Sequence, residues 1–167
     1  VLPISINEAK VVGEPVKVGE NFEKLNVGRN YGKVSWSPDS KWIAFPSRKG
    51  GSRDIWLASV KGGNSRQLTK QPGDEPETPI GTSLSSHSHI GISWSLDSKH
   101  IAYNSDKEGI WVVPSSGGEP KQLLKSKSTP IWSPDGKNIG FLLNEQISIL
   151  SFETGEVKNI IDLKVHG

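Results

Sequence analysis

The chain has 167 residues, and Lys plus Arg number 20 against 18 Asp plus Glu, so it has the length of one domain and a net charge of +2. That balance is too weak and too mixed for a nucleic-acid surface. No apolar run is long enough to span a bilayer, and no charged-then-apolar leader opens the chain. Cysteine is absent, which removes disulfides and thiol chemistry and suits the periplasm, the cell exterior and the cytosol alike. Gly at 18, Pro at 11 and six Trp point to a turn-rich β protein. The start at Val1-Leu2-Pro3 and the lack of any Met predict a processed chain or a piece of a longer one.

In chain order, Leu2-Pro3-Ile4-Ser5-Ile6 reads as a strand, and Val12-Gly13-Glu14-Pro15-Val16-Lys17-Val18 reads as its neighbour. Residues 21–27 are too few for a helix that stands alone. A full repeat then begins. Trp36-Ser37-Pro38-Asp39-Ser40-Lys41-Trp42-Ile43-Ala44-Phe45 returns as Trp94-Ser95-Leu96-Asp97-Ser98-Lys99-His100-Ile101-Ala102-Tyr103. It returns again as Trp132-Ser133-Pro134-Asp135-Gly136-Lys137-Asn138-Ile139-Gly140-Phe141. The first strand of each copy ends at the Trp, and the Ile of the second strand lies seven residues on: Ile43, Ile101 and Ile139. A third apolar run follows around Ile55, Ile110 and Ile147, then a Gly turn, then a fourth strand around Leu68, Leu123 and Ile160. The third-strand Ile and the fourth-strand residue are 13 apart in every copy. Four short strands joined by hairpins make one antiparallel meander. Repetition of such a unit predicts an array whose recurring residues pack it together, with function where the copies differ.

The turn within each copy has its own chemistry. Pro presets φ, Asp bonds back to nearby backbone, and Gly takes positive φ at little cost. Asp39, Asp97 and Asp135 look like an acidic triad when written out. Each falls at the same turn of a separate unit, so they are read as turn residues. The Ile positions are expected to be buried between or within sheets.

The phrases Trp-Ser-Pro-Asp-Gly-Lys-x-Ile-x-Phe, Asp-Ile-Trp-Leu and Gly-Gly-x-x-x-Gln-Leu-Thr resemble the WD40-like repeat of TolB-type β-propellers. The same repeat type occurs in the propellers of tricorn and prolyl-oligopeptidase-like peptidases. The resemblance covers residues 34–160 well and 2–18 weakly. The chain departs from the pattern at Leu96, where Pro is usual, and at Ser40 and Ser98, where Gly is usual. It implies an all-β fold, a β-propeller of four-stranded antiparallel blades whose first strands line a channel. The half blade spans 2–18, the blades 34–69, 92–124 and 130–161, and an inserted loop 70–91. Closed rings have about four to eight blades. Three and a half therefore predict either a fragment or copies of the chain that assemble to complete a ring. The resemblance also implies a noncatalytic scaffold for a protein or peptide partner, in the periplasm or outside the cell. Two rivals stand beside it: the substrate-gating propeller of a serine peptidase, and a carbohydrate- or metabolite-binding propeller.

The copies differ most in their junctions. Leu123 to Trp132 takes nine residues, whereas Leu68 to Trp94 takes twenty-six, and the extra length is residues 71–86. An insertion of this kind is either a solvated loop or a place where specificity is built. Junctions lead into the innermost strand, so in a propeller they meet at one channel mouth. Tyr31, His89 and Lys127 each lie five residues before the repeat Trp, and Arg29 and His87 two residues earlier still. These five are the candidate partner-binding residues, a polar and partly cationic ring suited to a carboxylate or phosphate. His87 and His89 alternate on a strand and face one side. A metal needs three or four ligands, and only Asp74, Glu75 or Glu77 on a folded-back loop would supply more, so no metal site and no cofactor are assigned. No nucleophile elbow, zinc-protease helix motif or phosphate loop is present, so no catalytic residue is assigned.

Overall fold

The computed structural model describes residues 4–5, 10–11, 33–47, 54–70, 90–105 and 109–163. Two short strands, β1 (Ile4–Ser5) and β2 (Lys10–Val11), pair antiparallel with Ile4 opposite Val11. The strand expected over residues 12–18 and the segment 21–27 lie outside the described residues.

Three four-stranded antiparallel sheets follow, each a meander in simple sequence order. The first is β3 (Ser35–Trp36), β4 (Trp42–Ser47), β5 (Asp54–Ser59) and β6 (Arg66–Gln67). The second is β7 (Ile92–Trp94), β8 (His100–Ser105), β9 (Gly109–Pro114) and β10 (Lys121–Leu124). The third is β11 (Ile131–Trp132), β12 (Asn138–Leu143), β13 (Gln146–Ser151) and β14 (Val157–Asp162). Register repeats from sheet to sheet: Trp36 faces Ile43, Trp94 faces Ile101, and Trp132 faces Ile139. Successive first strands, β3 with β7 and β7 with β11, lie against one another. This is the architecture of propeller blades with their first strands innermost.

Strand alternation gives each blade two faces with separate partners. Ile101, Tyr103 and Val113 of the second blade point back and form one core with Ala44, Ile55 and Leu57 of the first. Ala102, Ile110 and Val112 point forward and form another with Trp132, Ile139 and Phe141 of the third. The repeat Trp is a backward anchor. Trp94 Nε1 donates to the Ser35 carbonyl at 3.1 Å, and the Trp132 backbone N–H donates to Ser93 Oγ at 2.9 Å. Arg66 bridges the first two blades as well, stacking its guanidinium on Trp42 and donating to the Ser115 carbonyl.

Burial of the repeat Ile is not uniform. Ile101 and Ile139 are fully buried, but Ile43 is only half-buried. Ile43 and Trp36 lie on the inner part of the backward face, where no described blade packs, whereas Phe45, Trp56 and Ala58 on the same face are buried in a cluster of their own. The expectation of a buried Ile43 is corrected on that ground. Trp36 follows suit at 46 % exposed, against 6 % for Trp94 and 7 % for Trp132.

Candidate functional site

The two ends of the blades are built differently. One end carries the turns between first and second strands. There Ser37 Oγ donates to Asp39 Oδ1 at 2.6 Å, and the same carboxylate oxygen accepts the Lys41 N–H at 3.1 Å. Ser37 Oγ also accepts the Trp42 N–H at 2.9 Å. The second blade repeats this with Ser95, Asp97, Lys99 and His100. The third repeats it with Ser133, Asp135, Lys137 and Asn138. In all three, the Ser hydroxyl and then the backbone N–H hold the carboxyl below its ordinary range, because both bonds favour the charged form. The three Asp are thus occupied in closing their own turns. One crossing bond links neighbouring turns, from the Asp39 N–H to Ser98 Oγ at 3.1 Å.

The left-handed turn position explains the departures from Gly. Ser40 and Ser98 both sit at φ 59°, and Gly136 occupies the same place at φ 71°. A side chain is held there twice in a region that only Gly adopts freely.

The opposite end carries the junctions. Between β10 and β11 the chain crosses residues 125–130, and Lys127 is exposed on that crossing. Beside it Ser126 is buried, and its hydroxyl donates to Ser128 Oγ at 3.1 Å. Ser128 Oγ in turn donates to the Leu142 carbonyl. On the adjacent lead-in, the Gly91 N–H donates to the buried Asn104 Oδ1 at 2.6 Å. A Cβ on Gly91 would stand 2.0 Å from Thr129 Cγ2, so Gly is required where the two junctions touch. Gly91, Asn104, Thr129 and the Ser126–Ser128 pair therefore fix the crossing on which Lys127 is presented. Arg29, Tyr31, His87, His89 and the insertion 71–86 lie outside the described residues.

The sequence reading assigned nothing to Asp54, which is fully buried at the start of β5. Its carboxylate accepts from Thr69 Oγ1 at 3.0 Å and Gln67 Nε2 at 2.8 Å. Thr69 Oγ1 accepts the Ile55 N–H at 3.0 Å. The signal was present in the Asp-Ile-Trp-Leu and Gln-Leu-Thr phrases, which this clasp ties together across the outer strands. A carboxylate so enclosed has no reach to a ligand and serves the blade. Among the described residues no group of three or more His, Cys, Asp or Glu is gathered as a metal would need. No described helix is long and apolar enough to cross a membrane.

Comparison with known proteins supports the fold. The chain is similar to TolB from Acinetobacter baumannii, with a TM-score of 0.59 and 23 % identity over 76 % of this chain and 31 % of that one. It is also similar to an oligogalacturonate lyase from Vibrio parahaemolyticus, with a TM-score of 0.55 and 16 % identity over 78 % of this chain and 38 % of that one. In sequence it is 28 % identical over 138 residues to the uncharacterized peptidase YuxL of Bacillus subtilis, covering 65 % of this chain and 21 % of that protein. No family model matches. The chain has a TolB-like propeller fold and spans about a fifth of YuxL and about a third of the two structures compared.

Proposed function

We propose that the chain is a noncatalytic blade array that binds a protein or peptide partner at the junction end. One contrast carries this reading. The recurring polar residues serve a turn that is the same in every blade, whereas Lys127 lies at the surface of a crossing whose length and sequence vary from blade to blade. With Arg29, Tyr31, His87 and His89 at corresponding junction positions in the sequence, the mouth offers cations and hydrogen-bond donors to a carboxylate. The TolB-like fold supports a scaffold role and a periplasmic or extracellular setting.

The test is a peptide array with free and amidated C-termini. Peptides with a free carboxylate bind, and Arg29→Ala with Lys127→Ala together weaken them about tenfold or more, the scale of charge-assisted bonds. Thermal stability stays almost unchanged. Unchanged affinity in the double variant moves the binding site elsewhere, first to residues 71–86.

A second reading is favoured by the match to YuxL, a protein named as a peptidase. There the blades would act as the substrate-gating propeller of a serine peptidase, with the nucleophile outside this chain. A hydrolase domain with a nucleophile elbow in the same open reading frame decides for that reading.

A further inference from the structure

The blades hold the entrances of their innermost strands in different ways. Pro46, Asn104 and Leu142 stand in the same place, opposite Ile55, Ile110 and Ile147 in their sheets. Register, continued by two residues, sets Gly91 opposite Asn104 and Thr129 opposite Leu142. Of the three strand residues, only Asn104 carries a side-chain acceptor. It is buried, and its Oδ1 accepts the Gly91 N–H at 2.6 Å. The third blade reverses the arrangement: Ser128 Oγ on the crossing donates to the Leu142 carbonyl on the strand. Junction length explains the difference. Nine residues from Leu123 to Trp132 leave the crossing little freedom, whereas twenty-six from Leu68 to Trp94 do not determine where the chain rejoins its blade. It rejoins at Ile90, buried in the core between the first two blades, and at Gly91, held by Asn104.

We infer that Asn104 and Gly91 are positioning residues for partner binding at the junction end, acting through Lys127. The link is steric. A Cβ on Gly91 would lie 2.0 Å from Thr129 Cγ2 and 2.9 Å from Thr129 Cβ, so Thr129 already fills the space a side chain would take. Rotation about χ1 moves the methyl but not Thr129 Cβ, and a β-branched side chain is stiff there in any case. A side chain at position 91 therefore displaces the backbone of the crossing. Asn104 holds Gly91 to the second blade, Gly91 supports Thr129, and Thr129 follows Lys127 by two residues. The contacts thus run from a buried amide in one blade to a surface cation at the entry to the next. A cation that meets a carboxylate through charge-assisted bonds needs its backbone held to within about 0.5 Å. The inference rests on the reading of Lys127 as a partner contact, and it adds the residues that place it.

Affinity for a free-carboxylate peptide from the array, measured beside amide hydrogen exchange, tests it. Gly91→Ala should weaken the peptide about threefold, as Lys127→Ala does. It should also speed exchange of the Ser128 N–H, which donates to Ser126 Oγ at 3.2 Å. Adding Thr129→Gly to Gly91→Ala should recover both, because it removes the atoms that collide. A role confined to stability would move the melting temperature of these variants and leave affinity alone. Asn104→Ala is the second variant should Gly91→Ala not fold. It should release the Gly91 N–H to exchange and weaken the peptide, while amides around the buried Ile101 stay protected. If Lys127→Ala weakens the peptide and neither Gly91→Ala nor Asn104→Ala does, the inference is overturned and the reading of Lys127 stands. If Lys127→Ala has no effect, that reading fails and exchange decides alone. Faster exchange at Ser128 in Gly91→Ala, reversed by Thr129→Gly, then upholds the positioning, and unchanged exchange overturns it.

Discussion

Ile110 in the second blade and Ile147 in the third hold the same place in their sheets, opposite Asn104 and Leu142 respectively. The first is fully buried and the second 38 % exposed. Fourth strands repeat the lesson, with Leu68 at 7 % exposed and Ile160, its counterpart by spacing, at 49 %. The residues are alike and so is the local structure. What differs is the blade on the other side, present after the first and second blades and absent after the third among the described residues. Local pattern thus sets strand, turn and register, while the neighbouring blade sets burial and hence energy.

The largest break of this comparison is within a covered face. Ile101→Ala, in the core between the first two blades, should cost about 2–5 kcal/mol in denaturant melts, through lost transfer energy and the cavity left behind. A loss under about 0.5 kcal/mol would contradict the packing, since only surface positions behave so. The Trp anchors give a smaller contrast. Trp94→Phe removes the bond to the Ser35 carbonyl and should cost about 1 kcal/mol or more, while Trp36→Phe should cost markedly less in the monomer. Equal losses would mean that the anchor bond contributes nothing.

The turns should answer to backbone conformation. Gly136→Ala should cost about 1 kcal/mol from its positive φ, since the new Cβ would meet only Leu96 Cβ at an ordinary 3.8 Å. Ser40→Gly should move stability the other way by up to about 1 kcal/mol, reduced by the added freedom of the unfolded chain. The same sign for both substitutions would refute the assignment of strain.

Acid should sharpen the view of the turn carboxylates. Asp39, Asp97 and Asp135 have folded-state pKa values below the ordinary 3.8, held there first by the Ser hydroxyl of each turn. The unfolded chain therefore takes up protons first as pH falls. Their contribution is fully present above the ordinary value and is lost as pH drops below 3.8 through the depressed values. Replacing all three by Asn should flatten the decline of denaturant midpoint below pH 4 relative to the parent. An unchanged slope would assign the acid sensitivity to other groups.

Much of this was legible because it is local. The Trp-to-Ile spacing, the Ser-x-Asp-x-Lys turns and the alternation that gives each blade two faces all lie within a few residues of one another. The exposure of Trp36 and Ile43 was not legible, because it depends on whether another blade covers them. Asp54 was missed because its partners Gln67 and Thr69 lie a hairpin away, and a buried carboxylate is recognised only with those partners in place. At the candidate site, the junction alignment singled out Lys127, but the Gly91–Thr129 contact that fixes its crossing belongs to two different junctions.

The most direct measurement compares Ile110→Ala with Ile147→Ala in one denaturant series on the monomer. With one residue deeply buried and the other at an open face, the account predicts a loss of about 2–5 kcal/mol for Ile110→Ala and about 1 kcal/mol or less for Ile147→Ala. Equal losses would contradict the claim that the adjoining blade, rather than the repeat itself, sets what each residue contributes.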